Sequence, residues 1–236
     1  MTLKIAVINQ STRLTQERSR KAVAAINRQL KEHFFPAWHI AARCKLVSPK
    51  VDVKKLTDEC LMLIQDHATD DALGYHDKVL GTGKPYGYVF LDTSKDLDEA
   101  WTVTLSHEVL ELVLNPVTNF HAIGRHPKEA RTVAHWLEAC DAVQDQTYTI
   151  DRVEVSDFLL PLYFTPEREK GANNDYLGKR LDSLGLTPGG YQGFFDPKTG
   201  KDETVFADKR AREREAIKSQ LGTLRRSKRR PSLCIK

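Results

Sequence analysis

Apolar residues in the first half of the chain fall into short runs and helical stripes that alternate. Leu3 to Ile8 is an apolar run ending at Asn9-Gln-Ser-Thr, the pattern of a buried strand leaving its sheet. From Thr15 to about His33, Ala22, Val23, Ala25, Ile26, Gln29 and Leu30 recur at helical spacing, with Thr15 as N-cap and Phe34-Phe-Pro36 as the stop. Trp38 to Val47 reads as a second strand, so the chain opens strand–helix–strand. Within Leu56 to Asp66, the run Cys60-Leu-Met-Leu-Ile64 gives a third strand. A polar loop follows, through Ala72-Leu-Gly-Tyr-His76-Asp77 and Gly81-Thr-Gly83, and matches no phosphate-cradling pattern. Tyr86 to Asp92 alternates as a strand, and Asp96-Leu-Asp-Glu99 supplies a helix cap with an acidic residue three positions on.

The helix opened by that cap, closed by Pro116, carries the densest candidate chemistry. Val103, Leu105, Val109, Leu110, Leu112, Val113 and Leu114 wrap nearly its whole circumference, and a helix apolar all round is normally buried. His107, Glu108 and Glu111 interrupt that surface. Residues four apart share a face, so His107 and Glu111 project together, with Glu108 about 100° further round. This is the layout of H-E-x-x-H metallohydrolases, in which the i and i+4 side chains hold zinc and the second residue is the general base. Here Glu111 stands where the second His is expected. A carboxylate ligates zinc at about 2.0–2.2 Å much as imidazole does. The exchange also hardens the donor set, which leaves calcium, manganese or no metal open beside zinc.

Downstream, His126-Pro127 introduces a second helix over residues 128 to about 142, with Val133, Leu137 and Cys140 on one stripe and Ala134, Glu138 and Asp141 on another. Its acidic pair supplies a third ligand, Glu138 ahead of Asp141; the other reading of the pair is a solvent-facing patch. Tyr148 to Val155 is a hairpin around the turn Asp151-Arg152. Ser156 to Phe164 is an apolar, proline-broken segment, and residues 171–182 form an irregular loop. A terminal hairpin runs from Gly189-Gly-Tyr191 through the turn Asp196-Pro-Lys-Thr-Gly200 to Thr204-Val-Phe-Ala207.

Composition narrows the class. Hydrophobic content of 40% and charged content of 29% are those of a globular protein. No apolar run reaches the roughly 20 residues of a membrane span and the first residues lack a signal-peptide pattern, so a cytoplasmic protein is expected. The cysteines, Cys44, Cys60, Cys140 and Cys234, form no C-x-x-C pair, which argues against a zinc ribbon or a redox motif. From Ala207 to Lys236 there are 11 Lys or Arg against 3 Asp or Glu, a net of +8 in a chain of net +4, so residues 1–206 carry −4. That basic tail suits contact with nucleic acid or an acidic partner, and equally suits solubility. The layout expected is a body over 1–165, a loop and hairpin over 166–206, and a tail over 207–236 that adds little to the core.

In the order of its elements, an outer strand, a metal-type helix and an acidic second helix, the chain resembles the zincin metallopeptidases, in particular their gluzincin branch. The likeness covers about residues 1–145. It implies an α+β fold with a mixed sheet, Tyr86–Asp92 as the strand rimming the cleft, His107, Glu111 and Glu138 as ligands and Glu108 as base. The chain is also similar, nearly end to end, to a group of uncharacterised bacterial and phage proteins. They share the phrases Val7-Ile-Asn-Gln-Ser11, Ala72-Leu-Gly-Tyr-His-Asp77, Ser106-His-Glu-Val-Leu-Glu111, Glu138-Ala-Cys-Asp141, Val155-Ser-Asp-Phe158 and Gly189-Gly-Tyr191. That second likeness implies a shared fold without implying an activity.

Two functions follow from these readings. One is a zinc-dependent hydrolase of peptide or protein substrates, with an oxyanion donor drawn from His76, Tyr148 or His135. The other is a non-catalytic protein on a zincin scaffold, a phage-particle or interaction component that binds phage structural proteins and resides in the virion.

Overall fold

The computed structural model describes residues 2–52, 56, 60–67, 75–78, 85–166 and 172–220, with 75–78 and 217–220 as backbone alone. The glycine-bearing loop at 72–74 and 81–83 and the basic run at 225–230 lie outside the described residues.

Strand β1 (Leu3–Asn9) pairs in parallel with β2 (Ala42–Val47) on one side and with β3 (Cys60–Gln65) on the other. Strand β5 (Pro85–Phe90) continues the parallel set beside β3, and β4 (Tyr75–Lys78) runs antiparallel at the edge, giving the order β2-β1-β3-β5-β4. Unbroken apolar strands such as Cys60–Ile64 belong in such a sheet because both of its faces are covered. Ile5, Val7, Met62, Ile64 and Val89 share one core cluster with the helices, while Ala6, Ile8, Leu61 and Leu63 form a second.

Between β1 and β2, helix α1 (Gln16–Arg28) starts where the sequence places it, with the Thr15 hydroxyl accepting from the Arg18 N–H at 3.3 Å. It does not stop at Phe34-Phe-Pro36. A π turn over Gln29–Phe34 lets the Phe35 N–H reach back five residues to the Leu30 carbonyl. Pro36 then falls in the first turn of α2 (Phe35–Trp38), where its missing N–H is not needed. His39, at φ 54°, ends the helix in the left-handed region, so the second strand begins at Ala42 and not at Trp38.

Beyond β5, the short α3 (Leu91–Asp96) leads into α4 (Trp101–Leu114). The cap expected from Asp96 is absent: Asp96 ends α3, and the residue before α4 is Ala100, with no side-chain cap. Glu99 instead accepts a hydrogen bond from the Thr104 hydroxyl at 2.7 Å. Every residue of α4 from Leu105 to Leu114 is buried, as the all-round apolar pattern requires. A buried Leu or Val contributes about 1.5–3 kcal/mol, and removing Leu105 to Ala would forfeit about 2–5 kcal/mol. The helix ends at Asn115, whose Oδ1 accepts from the Asn119 and Phe120 N–H groups at 3.1 Å each.

The second helix expected over 128–142 does not form. That stretch holds β7 (Thr132–Trp136), paired antiparallel with β6 (His121–Arg125), then a loop and a 3₁₀ turn over Asp141–Val143. The local cause is His126. Its Nδ1 accepts from the Lys128 and Glu129 N–H groups at 3.0 Å each, closing a turn where a helix would otherwise start. The β-branched pair Thr132-Val133 then enters the strand.

The terminal hairpin, β10 (Tyr191–Asp196) and β11 (Lys201–Phe206), forms as read and joins β7 in a four-stranded sheet of order β11-β10-β7-β6. A separate hairpin, β8 (Thr147–Ile150) and β9 (Val153–Ser156), lies along α4, where the Ser156 N–H donates to Ser106 Oγ at 2.7 Å. Helix α5 (Lys209–Gln220) follows β11. Among the described residues no helix is long and apolar enough to cross a membrane.

Candidate metal centre

His107 and Glu111 sit one turn apart on α4, 9% and 3% exposed, on the side that faces the 3₁₀ turn. Asp141, the first residue of that turn, meets them there and is itself buried. His107 Nε2 lies 3.4 Å from Glu111 Oε1 and 3.3 Å from Asp141 Oδ1, and the three ligand atoms all fall within 4.8 Å of one another. Two ligands about 2.0–2.1 Å from a shared tetrahedral ion stand about 3.3 Å apart. The two distances from His107 match that spacing, so the group could hold a single divalent ion, and one nitrogen with two carboxylates is a sound donor set for zinc or a harder ion.

The charges explain why the three hold together. Burial alone would push the His107 imidazole down, but Glu111 and Asp141, with Glu108 further off, outweigh it and raise its pKa to about 10. The imidazolium thus bridges two carboxylates, and a divalent cation would take the place of its Nε2 proton, between the ring and the carboxylates. Glu111 is fixed by the Cys140 N–H, which donates to its Oε1 at 3.2 Å. The Cys140 thiol is pushed far up by burial and by Glu111, so it is a packing group there.

Asp141 is oriented from outside the helix by Tyr191 on β10. The phenol of this half-buried residue donates to the Asp141 carboxylate, and desolvation with the adjoining Asp141, Glu215 and Glu111 drives its pKa well above the ordinary value. Two glycines permit the approach. Gly189 has φ +82°, and a Cβ there would come within 2.0 Å of Asp145 Oδ2; a Cβ on Gly190 would lie 2.2 Å from the Ala142 carbonyl oxygen.

On the other flank, His107 and Glu108 line a cavity of about 30 Å³ together with Glu99, Thr104 and Arg214. That is room for a water or an ion. Arg214 comes from α5 and pairs with Glu99 and, at 2.7 Å, with Asp145 Oδ1. Its helix is capped by Asp208, whose Oδ1 accepts from the Ala211 N–H at 2.8 Å, and Ala211 is fully buried. Residues from 207 onward therefore do enter the folded body, at least as far as α5.

No family model, curated protein or solved structure matches the chain.

The structure brings together His107, Glu111 and Asp141, and places Glu108 beside them. Glu138 is also buried, on the loop after β7, where it lines a small hollow with Asp141, Tyr163 and Tyr191, but it is not one of the three clustered ligands. Of the oxyanion candidates, His135 donates from Nε2 to the Arg125 carbonyl at 2.9 Å, inside the four-stranded sheet. The Tyr148 hydroxyl is held by Gln29 at 3.1 Å and His33 at 2.9 Å. His76 lies on β4, whose side chains fall outside the described residues. Sequence reasoning missed Tyr191 and Arg214. The pair Gly189-Gly190 ahead of Tyr191 was the available signal, because adjacent glycines mark a close backbone approach; Arg214 carried none.

Proposed function

We propose that the protein is a metal-dependent hydrolase, a peptidase that holds one divalent ion, zinc first among the candidates, on His107, Glu111 and Asp141. The observation that carries this reading is the buried trio whose ligand atoms lie within 4.8 Å of one another, two of them on a helix that sets Glu108 beside His107. A bound divalent ion supplies Lewis acidity, lowering the pKa of water and polarising a substrate carbonyl. Glu108 takes the proton from the attacking water at its carboxylate and returns it to the leaving amine nitrogen. Tyr191 and the Cys140 N–H keep the two ligand carboxylates aimed, as outer partners of metal sites do. On this reading the i, i+4 pair resembles that of the zincins with Glu111 in place of the second His, while the third ligand comes from a 3₁₀ turn and not from a second helix.

One observation favours a second reading, a non-catalytic metal-stabilised scaffold such as a phage-particle or interaction component. The cavity at Glu108 admits a water but not a peptide group with its flanking chain.

Elemental analysis of the full chain, with turnover of a broad peptide library, tests both. A hydrolase shows about one metal per chain, lost in His107→Ala. Its Glu108→Gln variant keeps the metal while peptide cleavage falls by about 10²–10⁴-fold. Full metal content with no cleavage of any peptide leaves the scaffold reading, and no metal in either protein removes both.

A further inference from the structure

Next to the candidate centre, an open groove of about 840 Å³ runs between the first turns of α1, helix α3, the start of α4 and the turn joining β8 to β9. Leu91 and the half-buried Trp101 supply apolar surface, and Arg18, Lys95 and Arg152 reach its rim from three different elements. All three cations are exposed and have no ion pair among the described residues. Their neighbour Arg13 differs, being committed to Asp66 and Asp92.

Arg152 is held on the rim at a conformational cost. Asp151 and Arg152 both occupy the left-handed region, at φ 49° and 66°, where a two-residue hairpin turn ordinarily carries Asn-Gly. Asp151 is tied to α1 by Arg28 at 3.0 Å, and the Thr102 hydroxyl donates to the Glu154 carbonyl at 2.7 Å, so the turn is fixed over the groove from both sides.

We propose that this groove binds an acidic polypeptide segment. Separated cations around apolar surface match a chain that carries carboxylates at intervals and side chains between them. Asp98 and Glu154 also line the groove. Against Arg18, Lys95 and Arg152 they leave these five groups net positive by one, and they can accept hydrogen bonds from a peptide's N–H groups, donors that a phosphodiester backbone lacks. The groove shares Ser94 and Glu99 with the cavity at His107 and Glu108, so a chain lying in it leads toward that cavity. On the hydrolase reading the segment is substrate, which makes the preferred substrate one with acidic residues beside the scissile bond. The proposal rests on that reading for this last point only.

Binding is measured without turnover. Full-length protein is titrated against a fluorescein-labelled peptide of alternating Glu and Ala, its Gln-for-Glu counterpart, and single-stranded oligo-dT of equal length, with and without a chelator. The Glu peptide is expected to bind about 10-fold or more tightly than the Gln peptide, from three exposed charge contacts, and to weaken with salt. The preference should survive chelation, vanish in Arg18→Glu/Lys95→Glu/Arg152→Glu, and shrink in the corresponding triple Gln variant, which retains more of the native surface should the reversal unfold the chain. Equal binding of the two peptides, a preference unchanged in both triple variants, or tighter binding of oligo-dT overturns the proposal. Binding of the Glu peptide by a metal-replete protein that cleaves neither it nor any peptide of the broad library refutes the hydrolase and leaves the groove assignment standing.

Discussion

Replacing Arg214 with methionine isolates what α5 contributes to the fold. The Arg214 side chain is 11% exposed and its guanidinium lies between the side chains of Glu99, 14% exposed, and Asp145, 10% exposed. Removing one partner of a buried ion pair strands a charge and costs about 3–5 kcal/mol, whereas an exposed pair is worth about 0–1 kcal/mol. Both carboxylates keep something here: the Thr104 hydroxyl stays on Glu99 at 2.7 Å, and the largely exposed Arg210 stays 3.4 Å from Asp145. The loss should therefore fall at about 2–4 kcal/mol, read as a lower urea midpoint by about 1 M or more. Neutralising the stranded partners tests the cause. Arg214→Met/Glu99→Gln/Asp145→Asn should recover at least half of the loss, because no buried charge remains. A single-variant effect under about 0.5 kcal/mol would show that the clasp is solvated in solution. Recovery failing in the triple variant would show that the loss is packing and not charge.

Asp141→Asn should remove most metal, whereas Glu138→Gln should leave it in place; the reverse in elemental analysis would return the third-ligand role to Glu138. Tyr191→Phe, which deletes only the hydroxyl on Asp141, should weaken metal affinity by about 10–100-fold with the fold intact, and unchanged affinity by competition with a chelating dye would contradict it. Burial pushes the Asp66 carboxyl up, but the bonds from Ser11, Thr12 and Arg13 outweigh it and hold its pKa well below the ordinary value. Its folded pKa being the lower, Asp66 adds stability above the unfolded value of about 4, and that increment disappears as pH falls below it; the stability gap between wild type and Asp66→Asn should close on acidification, and a gap constant from pH 6 to pH 2 would refute this. Burial raises the Cys44 thiol to about 12, so an alkylating reagent at pH 8 should modify Cys44 only on unfolding, as peptide mapping would show.

Elements whose cause is local were legible in the sequence. The run Cys60–Ile64, the Thr15 cap and the turn at Asp151-Arg152 each carry their own signal, and each has its expected form. The misreadings come where one distant or unusual contact decides. Pro36 is a helix stop by rule, and a π turn upstream removes the conflict. Residues 128–142 have helical spacing, and a histidine side chain closing a turn sends them into a strand. Within the candidate centre, the pair His107 and Glu111 was legible because one helix fixes both. Asp141 was legible only as one of two acids, since the loop after β7 sets which of them meets α4. Tyr191 and Arg214 reach the centre through β10 and α5, and no spacing rule links those elements to residue 107.

The clasp between Arg214 and Asp145 also bears on the order in which the protein is made. During synthesis the amino-terminal part leaves the ribosome first and can fold as it emerges. His107 and Glu111 are present early, Asp141 later, Tyr191 later again, and the Arg214 wall of the Glu108 cavity last of these. A nascent chain therefore carries Glu108 and the candidate ligand helix before Arg214, which lines their cavity, has been translated.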